Sequence, residues 1–173
     1  MTFYKQFILD LQELIKSEVP EFRFIDQNLG QWGNDNFKAS VTFPGILVDF
    51  PTTSYSELAG GSDLALTEIK FNLFFDVNSQ SYNLAPQKVK DKALDYYELE
   101  QKLVAALKSW LTDYFTQLVR TSAVSRNQNE LGLRIRELTF TSEHEEYLED
   151  CEQKEQTLIF DFNGQMQQIT PVD

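Results

Sequence analysis

The sequence predicts an α+β fold: an antiparallel or mixed sheet with two main helices packed on one face, followed by a C-terminal β-hairpin. Three observations carry that expectation. Residues 66–77 (LTEIKFNLFFDV) alternate, with Thr67, Ile69, Phe71, Leu73, Phe75 and Val77 on one side and Glu68, Lys70, Asn72, Phe74 and Asp76 on the other. Successive side chains on a strand point to opposite faces, so this is a strand with one apolar and one mainly polar face, as in an antiparallel sheet covered on one side. Residues 2–18 and 94–118 repeat their apolar positions every three to four residues, as core-facing helices do. Near the C-terminus Asn163-Gly164 separates two alternating runs, a strong short-range hairpin signal.

The first helix carries Phe3, Phe7, Leu11 and Leu14 as a stripe, widened by Ile8 and Ile15. Thr2 is its expected N-cap, and Pro20 disfavours helical geometry at Val19 and so ends it. Residues 21–26 (EFRFID) alternate as a short strand, with Phe22 and Phe24 against Arg23 and Ile25. Residues 27–38, rich in Asn, Gly and Gln, read as a loop holding Trp32, which folds back on the core or stacks on a ligand.

A second strand spans residues 39–50, with Pro44 marking a bulge or an edge because proline cannot donate to the ladder. Residues 51–64 read as a long polar loop whose apolar anchors, Tyr55 and Leu58, suit an arm that reaches a neighbour. Its Gly60-Gly61 lacks the spaced glycines, lysine and following helix of a phosphate loop. Phe74 is an aromatic ring among charges on the polar face of the central strand, which marks it as a candidate subunit contact.

After a polar connection at residues 78–92, the long helix presents Leu99, Leu103, Leu107, Trp110, Leu111, Tyr114 and Phe115 as its apolar face. Residues 119–126 form a weak strand and residues 127–132 a turn. From Leu133 to Ser142 the apolar parity switches, Leu133 and Ile135 first and then Leu138 and Phe140, which predicts a bulge near Glu137. Arg134 and Arg136, on this strand, are a solvated pair or a contact for an acidic partner. Residues 143–155 read as an acidic connection, and the hairpin beyond it is expected to face Phe160 toward Gln167 and Leu158 toward Ile169.

The 173 residues suffice for a single domain, with a core at about 3–142 and an extension at 143–173. Apolar residues make up 42%, with 14 phenylalanines, which excludes a wholly disordered chain. A net charge of -12 argues against a large DNA-binding or anionic-membrane face and so against sequence-specific nucleic acid binding, although an acidic wall lets DNA pass without sticking. No signal peptide and no apolar run long enough to span a bilayer is visible, so a cytoplasmic location is expected. One histidine, His144, and one cysteine, Cys151, make neither a metal site nor a nucleophile with its base. No catalytic, cofactor-binding or metal-binding residue is therefore expected, and an enzyme is not.

The order of these elements resembles that of the tail-terminator and tail-completion (head–tail joining) proteins of long-tailed phages and their prophage relatives. The resemblance rests on the first helix ending at VPEFRFIDQNLGQ, the FPGILVDF strand, the alternating IKFNLFFDV strand and the ELEQKLVAALKSWL helix. It implies one antiparallel sheet with helices on one face, and self-association into a ring (in that family a hexamer) that meets other tail or neck proteins and enters the virion. Residues 143–173 go beyond the resembled pattern. The subunit interface expected here comprises Phe74, Tyr55, Leu58, Arg134 and Arg136. The alternative expectation is a small binding module for a peptide or ligand, using Trp32 and residues 52–64, without catalytic activity.

Overall fold

The computed structural model describes residues 2–33, 37–58, 62–76, 80–128, 131–147, 159–160 and 166–167. Helix α1 (Phe3–Glu18) leads to strand β1 (Phe24–Gln27), a short 3₁₀ turn (Gln31–Gly33), helix α2 (Phe37–Ser40) and strands β2 (Gly45–Glu57) and β3 (Ser62–Phe75). Helix α3 (Gln87–Ser109) and strands β4 (Val119–Ser125) and β5 (Arg134–Tyr147) follow, then β6 (Ile159–Phe160) and β7 (Met166–Gln167). The main sheet has the order β1-β2-β3-β5-β4, and β6 and β7 form a separate sheet of two. Among the described strands only β1 and β2 run parallel, so the class is α+β with a mixed, mostly antiparallel sheet. No helix among the described residues is long and apolar enough to cross a membrane.

Thr2 takes the extended backbone of an N-cap, although its side chain makes no capping hydrogen bond, and α1 ends as expected before Pro20. Its buried stripe is Phe3, Phe7, Leu11 and Ile15 at a strict four-residue spacing, with Ile8 and Leu14 at the margins. Helix α3 begins right after Pro86, seven residues earlier than the apolar pattern suggests, because its first two turns are polar. It ends at Ser109, and Trp110, Phe115 and Leu118 enter the main core from a non-helical segment.

Rows of residues paired across strands share a face. Val48, Phe71 and Leu138 form one such row, fully buried under α1 and α3 with Ile46, Ile69, Leu73 and Phe140. The apolar side of β3 therefore lies where its alternation puts it.

The opposite face differs from expectation. Phe74 is 1% exposed and packs with Leu47, Ile135, Leu133 and Phe37 in a second core, with Trp32 at its rim. The Phe37 and Trp32 rings lie 5.2 and 6.1 Å from the Phe74 ring. The segment read as a loop thus covers one end of the polar face. The same lid explains the parity switch in β5: Leu133 and Ile135 belong to the second core, Leu138 and Phe140 to the first. No bulge occurs near Glu137, and β3–β5 register is continuous from Phe75↔Arg134 to Ser62↔Tyr147. Phe22 and Ile25 likewise join the main core while Phe24 turns to the second, so the short strand also serves both faces.

Residues 51–57 are strand, not loop. The register of β2 on β3 shifts between Asp49 and Thr52, so Pro51 sits at a bulge where a missing donor costs little, and the ladder resumes to Glu57. Pro44 precedes β2 instead of interrupting it, after a cis peptide bond from Phe43. The C-terminal hairpin is present with its register one residue from expectation, Phe160↔Met166 and Ile159↔Gln167. Asn163 and Gly164, expected as its turn, lie outside the described residues.

His144 does not lie in an acidic connection, because β5 continues to Tyr147. Its ring stacks on Phe3 at 3.5 Å and 8°, buried at 3% exposure. Nε2 lies 3.1 Å from the Glu146 carboxylate, and Nδ1 has no hydrogen-bond partner among the described residues. Burial lowers the His144 pKa, against Glu146, which raises it. The unfolded chain therefore takes up a proton more readily than the folded one, so this contribution to stability is complete above about pH 6.5 and is lost as the pH falls below it. Cys151 lies outside the described residues.

Two outcomes are expected in urea denaturation. Phe74→Ala should cost about 3–5 kcal/mol, as much as Phe71→Ala, because both rings are fully buried; a cost below about 1 kcal/mol at Phe74 alone contradicts a second core. His144→Phe keeps the stack and removes the titration, so stability lost between about pH 7.5 and pH 5.5 should shrink relative to the native chain. An equal loss in both proteins assigns that pH dependence to other groups.

Candidate assembly surface

The five residues expected to form a subunit interface do not converge. Phe74 is inside the second core. Arg136 reaches across to α3 and makes a two-pronged ion pair with Glu100, at 2.7 and 3.0 Å. That contact raises the already high Arg136 pKa. Arg134 donates to the Tyr96 hydroxyl and lies over its ring at 4.6 Å. Both arginines face the helices of their own chain, not solvent. Both of these pairings join β5 to α3, which is how the longest helix is held on the sheet.

Tyr55 sits at the other end, paired with Ala65, nine residues and about 30 Å along β3 from Phe74. It is 52% exposed, and its hydroxyl lies 3.5 Å from that of Tyr4 on α1. The Tyr55 pKa is raised, first by the Tyr4 hydrogen bond and then by burial. Tyr4 also bonds Thr53, which bonds Thr67, so α1 pins the base of the β2–β3 extension through a chain of hydroxyls. Leu58 is half-buried, its N–H donating to Ser62 O at 2.8 Å as the hairpin closes.

The surface that residue-by-residue reading missed is β4. All seven of its residues are exposed, and among the described residues neither face is covered and only β5 pairs with it. Arg126 N–H donates to Ile135 O at 2.9 Å, and the register continues through Val124↔Glu137 and Ser122↔Thr139. Strand residues alternate the side to which their N–H and C=O point. The backbone groups of Ala123 and Ser125 therefore point away from β5, off the edge of the sheet. Val119 and Val124, 58% and 40% exposed, share the face opposite the helices with Thr141 and Glu137. The one sign of this in the sequence is that VRTSAVS has no apolar face at all.

The other end of the sheet is better guarded. β1 has four residues, and Gln12 of α1 donates to its Ile25 carbonyl at 3.1 Å. β1 pairs only with residues 45–48, so the outer edge of β2 beyond Thr52 is a second unpaired edge among the described residues.

The face opposite the helices is polar where the second core ends. Asp49, Glu68, Glu137, Glu143 and Glu145 lie on it, placed by the cross-strand register. Lys70 is the lysine among them and pairs with Glu68 at 3.3 Å, while Arg126 pairs with Glu137 at 3.3 Å. Glu143 and Glu145 remain exposed, so the face is net acidic. A shallow cleft of about 450 Å³ between α3 and the start of β1 includes Glu21, Tyr96 and Lys102. Neither Trp32 nor the described residues of the β2–β3 extension line it. Among the described residues no three His, Cys, Asp or Glu side chains converge as metal ligands do.

No family model matches the chain, and neither does any curated protein. A chain in a solved structure, the virion of a native gene transfer agent particle, aligns with 83% of this chain and 91% of its own length. The two are 14% identical with a TM-score of 0.39, a similarity below that of a shared fold.

Proposed function

We propose that the chain is a structural subunit of a phage or prophage particle, a tail-terminator-like protein that self-associates into a ring at the head–tail junction and contacts other tail or neck proteins. The observation that carries this reading is the open β4 edge. Exposed edges invite pairing with another chain, and proteins that stay monomeric blunt them with charge, proline or a covering element. β4 has one charge, Arg120, no proline and, among the described residues, no covering element. The edge at β1, by contrast, is short and capped by Gln12.

The acidic face opposite the helices supports the second half of the reading. Turned toward the centre of a ring, it repels phosphate and leaves DNA free to slide. Within the interface, Tyr55 and Leu58 on the β2–β3 extension remain available as anchors, whereas Phe74, Arg134 and Arg136 support the subunit's own fold.

Negative-stain microscopy and light scattering test this directly. Closed rings of uniform subunit number are expected, free in solution or at the ends of tail tubes; a chain that stays monomeric in both settings overturns the proposal. Glu143→Lys with Glu145→Lys should leave rings intact yet make them bind duplex DNA in a salt-dependent way. Rings of that variant with no affinity for DNA would place the acidic face outside the lumen.

A further inference from the structure

We infer that the β6–β7 hairpin of one copy adds to the open β4 edge of the next, so that each subunit donates its C-terminal segment to a neighbour's sheet. The inference rests on the self-association reading and names the two surfaces that meet. β6 and β7 pair with each other and with no strand of the main sheet. A two-stranded hairpin by itself is at best marginally stable in water and needs a further strand or a surface to bury its apolar side chains. Residues 157–170 carry Leu158, Ile159, Phe160, Phe162, Met166 and Ile169 for that purpose. β4 has the complementary deficit, with outward-pointing backbone groups at Ala123 and Ser125 and, among the described residues, no strand paired on that side.

Charge and reach agree with the pairing. Residues 119–126 hold no acidic residue and two arginines, Arg126 paired with Glu137 of its own chain and Arg120 on the edge strand, in a chain of net charge -12. Residues 148–173 hold six acidic residues and one lysine. Opposite charge steers encounter and fixes the partner. From Tyr147, where β5 ends, twelve residues lead to Ile159 and span up to about 40 Å, ample to cross to an adjacent subunit. Because donor and acceptor are different surfaces of one chain, the contact is head-to-tail, the kind that closes a ring when its rotation permits. Backbone hydrogen bonds supply the affinity, as in other strand additions.

Three variants test it, with Cys151→Ser in the cross-linking pair. Ala123→Pro removes an N–H that points off the edge, leaves the β4–β5 ladder intact and is tolerated on an edge strand. It should keep the native melting temperature within a few degrees and raise the concentration needed for assembly at least tenfold. A chain ending at Tyr147 should behave the same way. In a mixture of two differently tagged chains, one with Val124→Cys and the other with Leu158→Cys or Ile159→Cys, mild oxidation should give a covalent dimer carrying both tags. Should the truncated chain be unfolded, the proline variant and the cross-link still decide the matter. Full assembly by the truncated chain, with assembly lost only in Ala123→Pro, overturns the inference and assigns β4 to the neighbour's β2 edge, leaving self-association standing. Unimpaired assembly by Ala123→Pro, or a cross-link that forms within one chain and never between tags, also overturns it. A native chain that never associates removes both this inference and the ring.

Discussion

Strand β3 is hydrogen-bonded along both edges, to β2 on one side and to β5 on the other, and the rest of the structure takes its place from that position. A strand so enclosed has no edge to give to solvent, so all its freedom lies in what covers its two faces. On one face Ile69, Phe71 and Leu73 are fully buried beneath α1 and α3. On the other, Phe74 and Asn72 are buried while Glu68 and Lys70 reach water. The covering is therefore complete on one side and half-complete on the other. The segment carrying Trp32 and Phe37 supplies that half.

The ion pair between Arg136 and Glu100 shows how tightly α3 is bound to this arrangement. Its side chains are 17% and 9% exposed, so each charge depends on the other for the hydration it has lost. Such a pair adds little over an apolar contact of the same shape, but removing one partner costs about 3–5 kcal/mol. It acts as a register pin: the helix lies where Glu100 meets Arg136 and Tyr96 meets Arg134. At the far end the Phe3–His144 stack does the same for α1 with an aromatic contact. Together the two fix both helices, and Arg136 also donates to the Ser125 hydroxyl of β4 at 2.8 Å, though neither helix covers that strand.

That omission has a functional reading. Sheet closure by helices stops at β5, and among the described residues the strand beyond it is exposed on both faces and unpaired along one edge. A strand without a core face gains little from burial, so its place is held by the ladder to β5, one net hydrogen bond being worth about 1 kcal/mol. Under the proposed assembly role this edge is the connector. An acidic outer sheet face and a separate C-terminal hairpin accompany it in this chain.

Much of this was legible in the residues alone. Two-residue and four-residue periodicities placed α1, β3, the core part of β5 and the interior half of α3. Pattern failed where one signal had two causes. Phe74 among charges and the parity switch at Leu138 look like an exposed contact and a bulge, because alternation reveals which residues share a face but not how many faces are covered. Pro51 looked like the end of a strand, because a bulge that accommodates it is a property of the partner's register. The edge position of β4 was hidden for the same reason: a ladder is a relation between segments distant in sequence, and which strand ends the sheet is decided only when all of them have paired.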